Sequence, residues 1–274
     1  MIAKSKWDYD SDYMFKAVLL ALVTLPLIAA ELAPTGTLRV AFLGNNPVQA
    51  QKDPQTGEYS GPVPDLVKEL ARRLKVPLKL LPAPNAAAVI QHVNAREADI
   101  GFLAYDAERA AEVDYSDSYL LMGNTYLVRA DSLLQKAADV DRSGTKVGAV
   151  RGQSQHAYLS GALKQASVVT FAVMPSADEM EKLLMARELD AVGANRDRME
   201  VAQAAHASSL RVLPDNFSLV EQAVIVAKDD PAKAAKIGQL NQFLAEMRKS
   251  GFVKTSIANA KLGGVEVAPE KTKR

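Results

Sequence analysis

Apolar residues recur along the chain in two periods, one typical of strands and one typical of helices. Short apolar runs are separated by stretches in which apolar residues return every three or four positions. The clearest helix is predicted at Pro64–Leu74, where proline suits the first turn and Leu66, Val67 and Leu70 share a face. Predicted strands are Thr37–Leu43, Pro77–Leu81, Asp99–Leu103, Lys146–Val150, Val168–Val173, Leu189–Ala194 and Leu210–Leu213. Strands that alternate with helices indicate βαβ units and a mainly parallel sheet.

Capping residues mark further helices. Asn85 can cap one helix, Ser176–Glu179 forms a capping box that opens another, and a long amphipathic helix is predicted at Pro231–Gly251. Two extended segments, Asn124–Ala130 and Glu221–Ala227, are long enough to cross between two units. We therefore expect a second α/β unit inserted into the first, with two crossing strands as a hinge.

The predicted fold class is α/β with two lobes, each a mainly parallel sheet flanked by helices. Lobe 1 is predicted at residues 37–122 plus 222–263, lobe 2 at 123–221, and a disordered tail at 264–274. A cleft between hinged lobes is a common place for a ligand, because the hinge permits closure around it.

The N-terminus carries an apolar run of fourteen residues, Ala17–Ala30. This is the length of a signal-peptide core and is too short to span a bilayer. Residues 1–30 are therefore predicted to be a signal peptide cleaved near Ala30, with Met14 as an alternative start because the preceding segment is acidic. A buried core helix is the competing interpretation, and Pro26 argues against it. We expect export to the periplasm.

Composition excludes several classes of function. The 33 basic and 32 acidic residues nearly balance, so no nucleic-acid partner is expected. The absence of cysteine excludes thiol catalysis, disulfides, thiolate metal sites and a lipid-modified cysteine. His92, His156 and His206 are far apart and show no metal-ligand spacing. We expect no metal and no cofactor.

Five short motifs follow one another in a family-specific order. They are residues 57–66 (GEYSGPVPDL), 98–119 (from ADIGFL to YSDSY), 144–155 (GTKVGAVRGQSQ), 189–192 (LDAV) and 240–252 (from LNQFL to SGF). Together they resemble the family 3 extracellular solute-binding proteins, the polar amino-acid receptors of ABC importers, over residues 37 to about 262. The resemblance implies a type II periplasmic-binding-protein fold and a monomer that hands a small ligand to a membrane permease without catalysis.

The resemblance also implies site residues. Arg109 matches the family's carboxylate-binding arginine, and its guanidinium fork suits a carboxylate; alternatively it is a surface residue of a short helix. The backbone amides after Gly152, including that of Gln153, offer a helix N-terminus to an anion. Ser154 and Gln155 match ligand-contacting positions, although Ser154 alternatively serves as a helix cap.

Several positions depart from the family pattern. Asn195 stands where an aspartate normally binds the ligand's ammonium group, and Tyr105 and Asp106 replace a serine/threonine run. Asn46 lies where an aromatic platform is expected. An ammonium group without a charged partner is costly to bury. The ligand is thus expected to lack an α-ammonium group, or to carry its amine elsewhere, with Asp106 or Asp197 as alternative sources of charge.

Two other functions compete with solute binding. Some cyclohexadienyl (prephenate or arogenate) dehydratases resemble this family, and Asp106 is the candidate acid that such an enzyme would need. A sensor that presents its ligand to a membrane receptor or to a dehydrogenase is the third possibility. The leading prediction is a binding protein that captures a small carboxylate-bearing ligand, either an amino acid, a similar molecule or an organic acid.

Overall fold

The computed structural model describes residues 31–151 and 153–270, with the side chain of Ser154 left out. The strands are β1 Leu38–Leu43, β2 Gln51–Lys52, β3 Tyr59–Ser60, β4 Leu78–Ala83, β5 Ile100–Ala104, β6 Val113–Arg129, β7 Lys146–Val150, β8 Ser167–Phe171, β9 Ala191–Asn195, β10 Leu210–Val212, β11 Ser218–Ala227 and β12 Val265–Val267. The α-helices are α1 Pro62–Leu74, α2 Ala86–Asn94, α3 Ser154–Ala162, α4 Ala177–Met185, α5 Arg196–Ala205, α6 Lys233–Lys249 and α7 Phe252–Asn259. The predicted signal peptide lies outside the described residues.

One large mixed sheet runs through the molecule in the order β4-β1-β5-β11-β6-β9-β7-β8. The strands β4, β1 and β5 are parallel to one another, as are β9, β7 and β8. Between these two groups, β11 and β6 run antiparallel to each other and to their outer neighbours. The α/β architecture with two crossing strands is therefore as predicted.

The helix boundaries follow from the local signals in the sequence. Pro62 occupies the first turn of α1, and the buried face of that helix includes Leu66, Val67 and Leu70. The Asn85 side chain accepts a hydrogen bond from the backbone at the start of α2. Ser176 and Glu179 form the predicted capping box of α4.

The hydrophobic core divides into separate clusters on either side of the crossing strands. Two clusters combine residues 32–122 with 224–257, and two others lie within residues 126–213. The lobe boundaries predicted after residues 122 and 221 stay predictions, and this division of the core supports them.

Two predictions of local structure need correction. The first crossing strand, predicted at Asn124–Ala130, is much longer, because β6 extends through the polar segment from Val113 onwards. The predicted disorder from residue 264 is wrong for β12, which pairs with residues 120–122 of β6. Val265 and Val267 pack against the lobe 1 core, and Gly264 makes the preceding turn with a φ of 62°. Residues 271–274 lie outside the described part.

Within residues 31–151 and 153–270, no helix combines the length and the apolar character needed to cross a membrane.

Candidate functional site

A cavity of about 700 Å³ lies between the two lobes, beside the crossing strands. Loops after β1 and β5 form one wall, the start of α3 and the end of β9 form the opposite wall, and residues of β6 and β11 form the floor. The volume suits a small molecule, and clefts between hinged units are typical ligand sites.

The structure brings together seven of the nine residues predicted for the site. Asn46, Tyr105, Asp106, Arg109, Gln153, Gln155 and Asn195 all line this cavity. Gly152 is outside the described residues, and the side chain of Ser154 is not described. Ligand binding by these nine residues stays a prediction.

Arg109 is the first residue of a short helix between β5 and β6. Asp106 Oδ1 accepts hydrogen bonds from the backbone N–H groups of Glu108 and Arg109, both at 3.0 Å, and so starts the 3₁₀ helix Arg109–Ala111. The Arg109 guanidinium lines the cavity, and no residue in the described parts of the chain hydrogen-bonds or ion-pairs with it. A cationic fork with its donors available in a cleft is suited to bind an anion.

Two further lobe 1 residues have their own structural contacts. The Tyr105 ring packs edge-on against that of Tyr115 with ring centroids 5.2 Å apart, and its backbone N–H donates to the carbonyl of Glu221 at 2.8 Å. Asn46 Oδ1 accepts a hydrogen bond from the backbone of Val48, which fixes the loop after β1. The lobe 1 wall is thereby tied to both its core and the hinge.

The lobe 2 wall is built from neutral amides. Gln155 Nε2 donates to Asn124 Oδ1 at 3.0 Å and also to Asn195 Oδ1. Asn124 in turn donates to Ser218 Oγ at 2.9 Å. These contacts link α3, β9 and both crossing strands, so the buried Gln155 side chain positions Asn195 as well as lining the cavity.

Glu221 places in the cavity a carboxylate that no sequence motif indicated. It lies on β11 among Leu219, Val220 and Gln222, which also line the cavity, and its Oε2 accepts a hydrogen bond from the buried Ser118 at 2.9 Å. The strand pairing slips just beyond it: Gln222 is opposite Leu120, whereas the next residue is opposite Ser118. The extra residue at this slip, Tyr119, belongs to β6, and such bulges are often found beside functional sites. An acidic residue at the start of an otherwise apolar run was the available signal.

Asp197 does not line the cavity. It lies in the first turn of α5, where burial raises the pKa of its carboxyl above the ordinary value. Its Oδ1 is buried and has no hydrogen-bond partner among the described residues. In this arrangement Asp197 does not supply the charge that Asn195 lacks. No group of three or more potential metal-ligating side chains is found in the parts of the chain that the structure describes.

Comparison with known proteins agrees with this architecture. The ABC transporter glutamine-binding protein GlnH of Bacillus subtilis is 27% identical over 125 residues, which are 44% of this chain and 45% of that protein. The match thus spans less than half the length of this relative.

Two solved structures share the fold at low identity. An ancestral cationic amino acid solute-binding protein superposes with a TM-score of 0.61 at 24% identity, covering 86% of this chain and 98% of that one. An ancestral cyclohexadienyl dehydratase gives a TM-score of 0.57 at 23% identity, covering 85% and 96%. At these identities the structures show the fold alone, and the predicted two-lobed periplasmic-binding-protein fold is confirmed.

The family itself follows from a match over most of the chain. The sequence profile of the bacterial extracellular solute-binding proteins, family 3, matches residues 38–259. This range contains both walls of the cavity and both crossing strands. The protein belongs to the bacterial extracellular solute-binding proteins of family 3.

Proposed function

We propose that this protein is the periplasmic solute-binding component of an ABC importer and that it captures an amino-acid-like ligand bearing a carboxylate. One observation carries the proposal. The Arg109 guanidinium lines the cleft and has no protein partner within the described residues. Arg109 is only partly exposed, and a guanidinium in a cleft without a protein partner is suited to bind an anionic group.

The two lobes provide complementary parts of the binding site. Lobe 1 supplies charged groups, Arg109 and Asp106, whereas lobe 2 supplies the amides of Gln153, Gln155 and Asn195. Closure at β6 and β11 would bring the amides onto a ligand already held by Arg109. Delivery to a membrane permease and export with removal of residues 1–30 are part of the proposal, and both are supported by the family assignment.

The test is a thermal-shift screen of amino acids, organic acids and amines, followed by calorimetry of each hit. A ligand at 100 times its Kd should add about 2.7 kcal/mol to the stability. Arg109→Ala should weaken binding by about 2–5 kcal/mol, which is roughly thirtyfold to several thousandfold. Arg198→Ala removes an equally charged but exposed arginine outside the cleft and should leave the affinity within about twofold. Unchanged affinity in Arg109→Ala would refute the assignment.

The dehydratase alternative is tested with the same material. The two cavity carboxylates, Asp106 and Glu221, are the groups that such chemistry would need to employ. We expect prephenate incubated with the purified protein to decay at the rate of the buffer control. Faster formation of product, lost in Asp106→Asn or Glu221→Gln, would establish an enzyme instead.

A further inference from the structure

The charges around the cleft are unequal. Among the described residues that line it, the ionisable acids and bases with a formal charge at neutral pH are Asp106, Arg109 and Glu221. Two carboxylates therefore face one guanidinium. A cleft with an excess of negative charge and low-dielectric walls concentrates cations. If Arg109 holds a carboxylate, the remaining charge favours a ligand that also carries a positive group.

Glu221 is the better placed of the two carboxylates for this task. Asp106 already accepts two backbone N–H groups through Oδ1 and belongs to the turn that positions Arg109. Glu221 instead lies on a hinge strand, where its backbone carbonyl is fixed by Tyr105 and its Oε2 is oriented by Ser118. A carboxylate held on a strand by a fixed hydrogen-bond donor has a defined direction, which is what selective recognition requires.

Among the described residues, the opposite wall supplies no comparable charge. Asn195 is neutral, and its Oδ1 already accepts a hydrogen bond from Gln155. Asp197 lies outside the cavity lining. A cation bound beside Asn195 would compete with an internal hydrogen bond and would gain no ion pair.

We propose that Glu221 binds a protonated nitrogen of the ligand, so that the ligand combines a carboxylate, held by Arg109, with an ammonium or guanidinium group at the hinge. The proposal rests on the function proposed above and names its substrate class. Glu221 is then the residue that selects for cationic groups, and the amine is recognised from β11 and not from the lobe 2 wall.

Four probes with the same six-carbon chain distinguish the contribution of the ligand's carboxylate from that of its amine. Hexanoate has the carboxylate alone, norleucine adds an α-amine, 6-aminohexanoate adds a distal amine, and lysine has both. Calorimetry at pH 7 should show at least one amine-bearing probe binding about tenfold or more tighter than hexanoate. The better of norleucine and 6-aminohexanoate identifies which nitrogen meets Glu221.

The variants then assign the preference to one residue. Glu221→Gln, nearly identical in shape, should weaken that amine-bearing probe by about tenfold or more and leave hexanoate within about twofold. Glu221→Asp keeps the charge and should retain part of the preference. Glu112→Gln removes an exposed carboxylate close to Arg109 in sequence but outside the cleft, and should change neither affinity by more than about twofold.

The failures of the two proposals are distinguishable. Binding that depends on Arg109 but is equal for hexanoate and the amines, or is unchanged in Glu221→Gln, overturns the role of Glu221 alone. Absence of binding by all four probes and by the wider screen overturns the proposed function and this inference with it.

Discussion

Replacing Arg196 with alanine tests how much its side chain stabilises the connection between lobe 2 and the crossing strand β11. Arg196 is the first residue of α5, immediately after Asn195 in the cleft. Its Nε donates to Asn216 Oδ1 at 2.8 Å, and its Nη2 lies 2.7–3.2 Å from the carbonyl oxygens of residues 213–215. These residues form the loop that leads into β11, and the Arg196 side chain is only 12% exposed.

The expected loss of stability in Arg196→Ala depends on which hydrogen-bond acceptors are left without a donor. Two of the three carbonyl oxygens, those of Leu213 and Asp215, also accept from Thr125 Oγ1 and keep a partner when the guanidinium is removed. The bonds to Asn216 and to Pro214 are lost without replacement from the side chains described here. A hydrogen bond from a charged donor contributes about 1.5–3 kcal/mol, so we expect Arg196→Ala to lower the free energy of unfolding by about 2–4 kcal/mol.

Urea denaturation followed by circular dichroism measures this loss, provided that the m-value is unchanged. Arg198→Ala is the matched control, since Arg198 lies on the same helix and is exposed. It should change the stability by less than about 0.5 kcal/mol. If the two variants differ from each other by less than that amount, Arg196 does not fasten the loop as the distances indicate.

Two further predictions concern buried polar groups. The Tyr119 hydroxyl is fully buried, has no hydrogen-bond partner within the described residues, and has a pKa raised far above its usual value by burial. Tyr119→Phe should therefore increase the free energy of unfolding, measured by urea denaturation, by about 1 kcal/mol. A clear decrease would contradict this prediction. Burial raises the pKa of Asp197, so the native state binds the carboxyl proton more tightly than the unfolded state does. The free energy of unfolding therefore falls as pH rises from about 4 towards the native pKa. Asp197→Asn should therefore have a higher free energy of unfolding than wild type at pH 7, and this difference should shrink near pH 3. Denaturation curves that give the same difference at both pH values would refute the prediction.

Much of the fold was predictable because its signals are local. The helix predicted at Pro64–Leu74 begins two residues earlier, and the caps at Asn85 and Ser176 form as expected. The start of β6 was missed because residues 114–118 (DYSDS) carry polar side chains that a regular apolar pattern does not assign to a central strand. Their polarity is accommodated by individual contacts, such as that of Ser116 with the backbone of Val224, which no local pattern encodes.

The candidate site was predictable only where motif order identified it. Arg109, Gln155 and Asn195 are far apart in sequence, and their positions in ordered motifs led to one cleft. Glu221 carries no such motif. Its place in the cavity depends on the pairing of β11 with β6, where it lies opposite Leu121, and a register shift of one residue would reverse which face a side chain occupies.

The structure of the C-terminal segment was also not predictable from the sequence, for a different reason. Its charged and glycine-containing composition suggests disorder, yet β12 pairs with β6, and the two glycines that precede β12 lie against α5. A Cβ on Gly264 would lie 2.4 Å from the side chain of Arg196, so this close approach requires glycine. The order therefore comes from tertiary partners rather than from the composition of the segment.

The hinge strands are more than connectors, because the same residues shape the cleft and join the lobes. Strand β6 pairs with β11, β9, β10 and β12, and it contributes Met122 to the cavity. Strand β11 contributes Glu221 to the cavity, and its pairing with β6 slips between Gln222 and Ala223. A bulge increases local twist and bends the strand that contains it. The hydrogen bond from the Tyr105 N–H to the carbonyl of Glu221, at 2.8 Å, ties this part of β11 to the loop after β5, which carries Arg109. The same short stretch of paired backbone therefore supplies a cavity carboxylate and connects the strands of the two lobes.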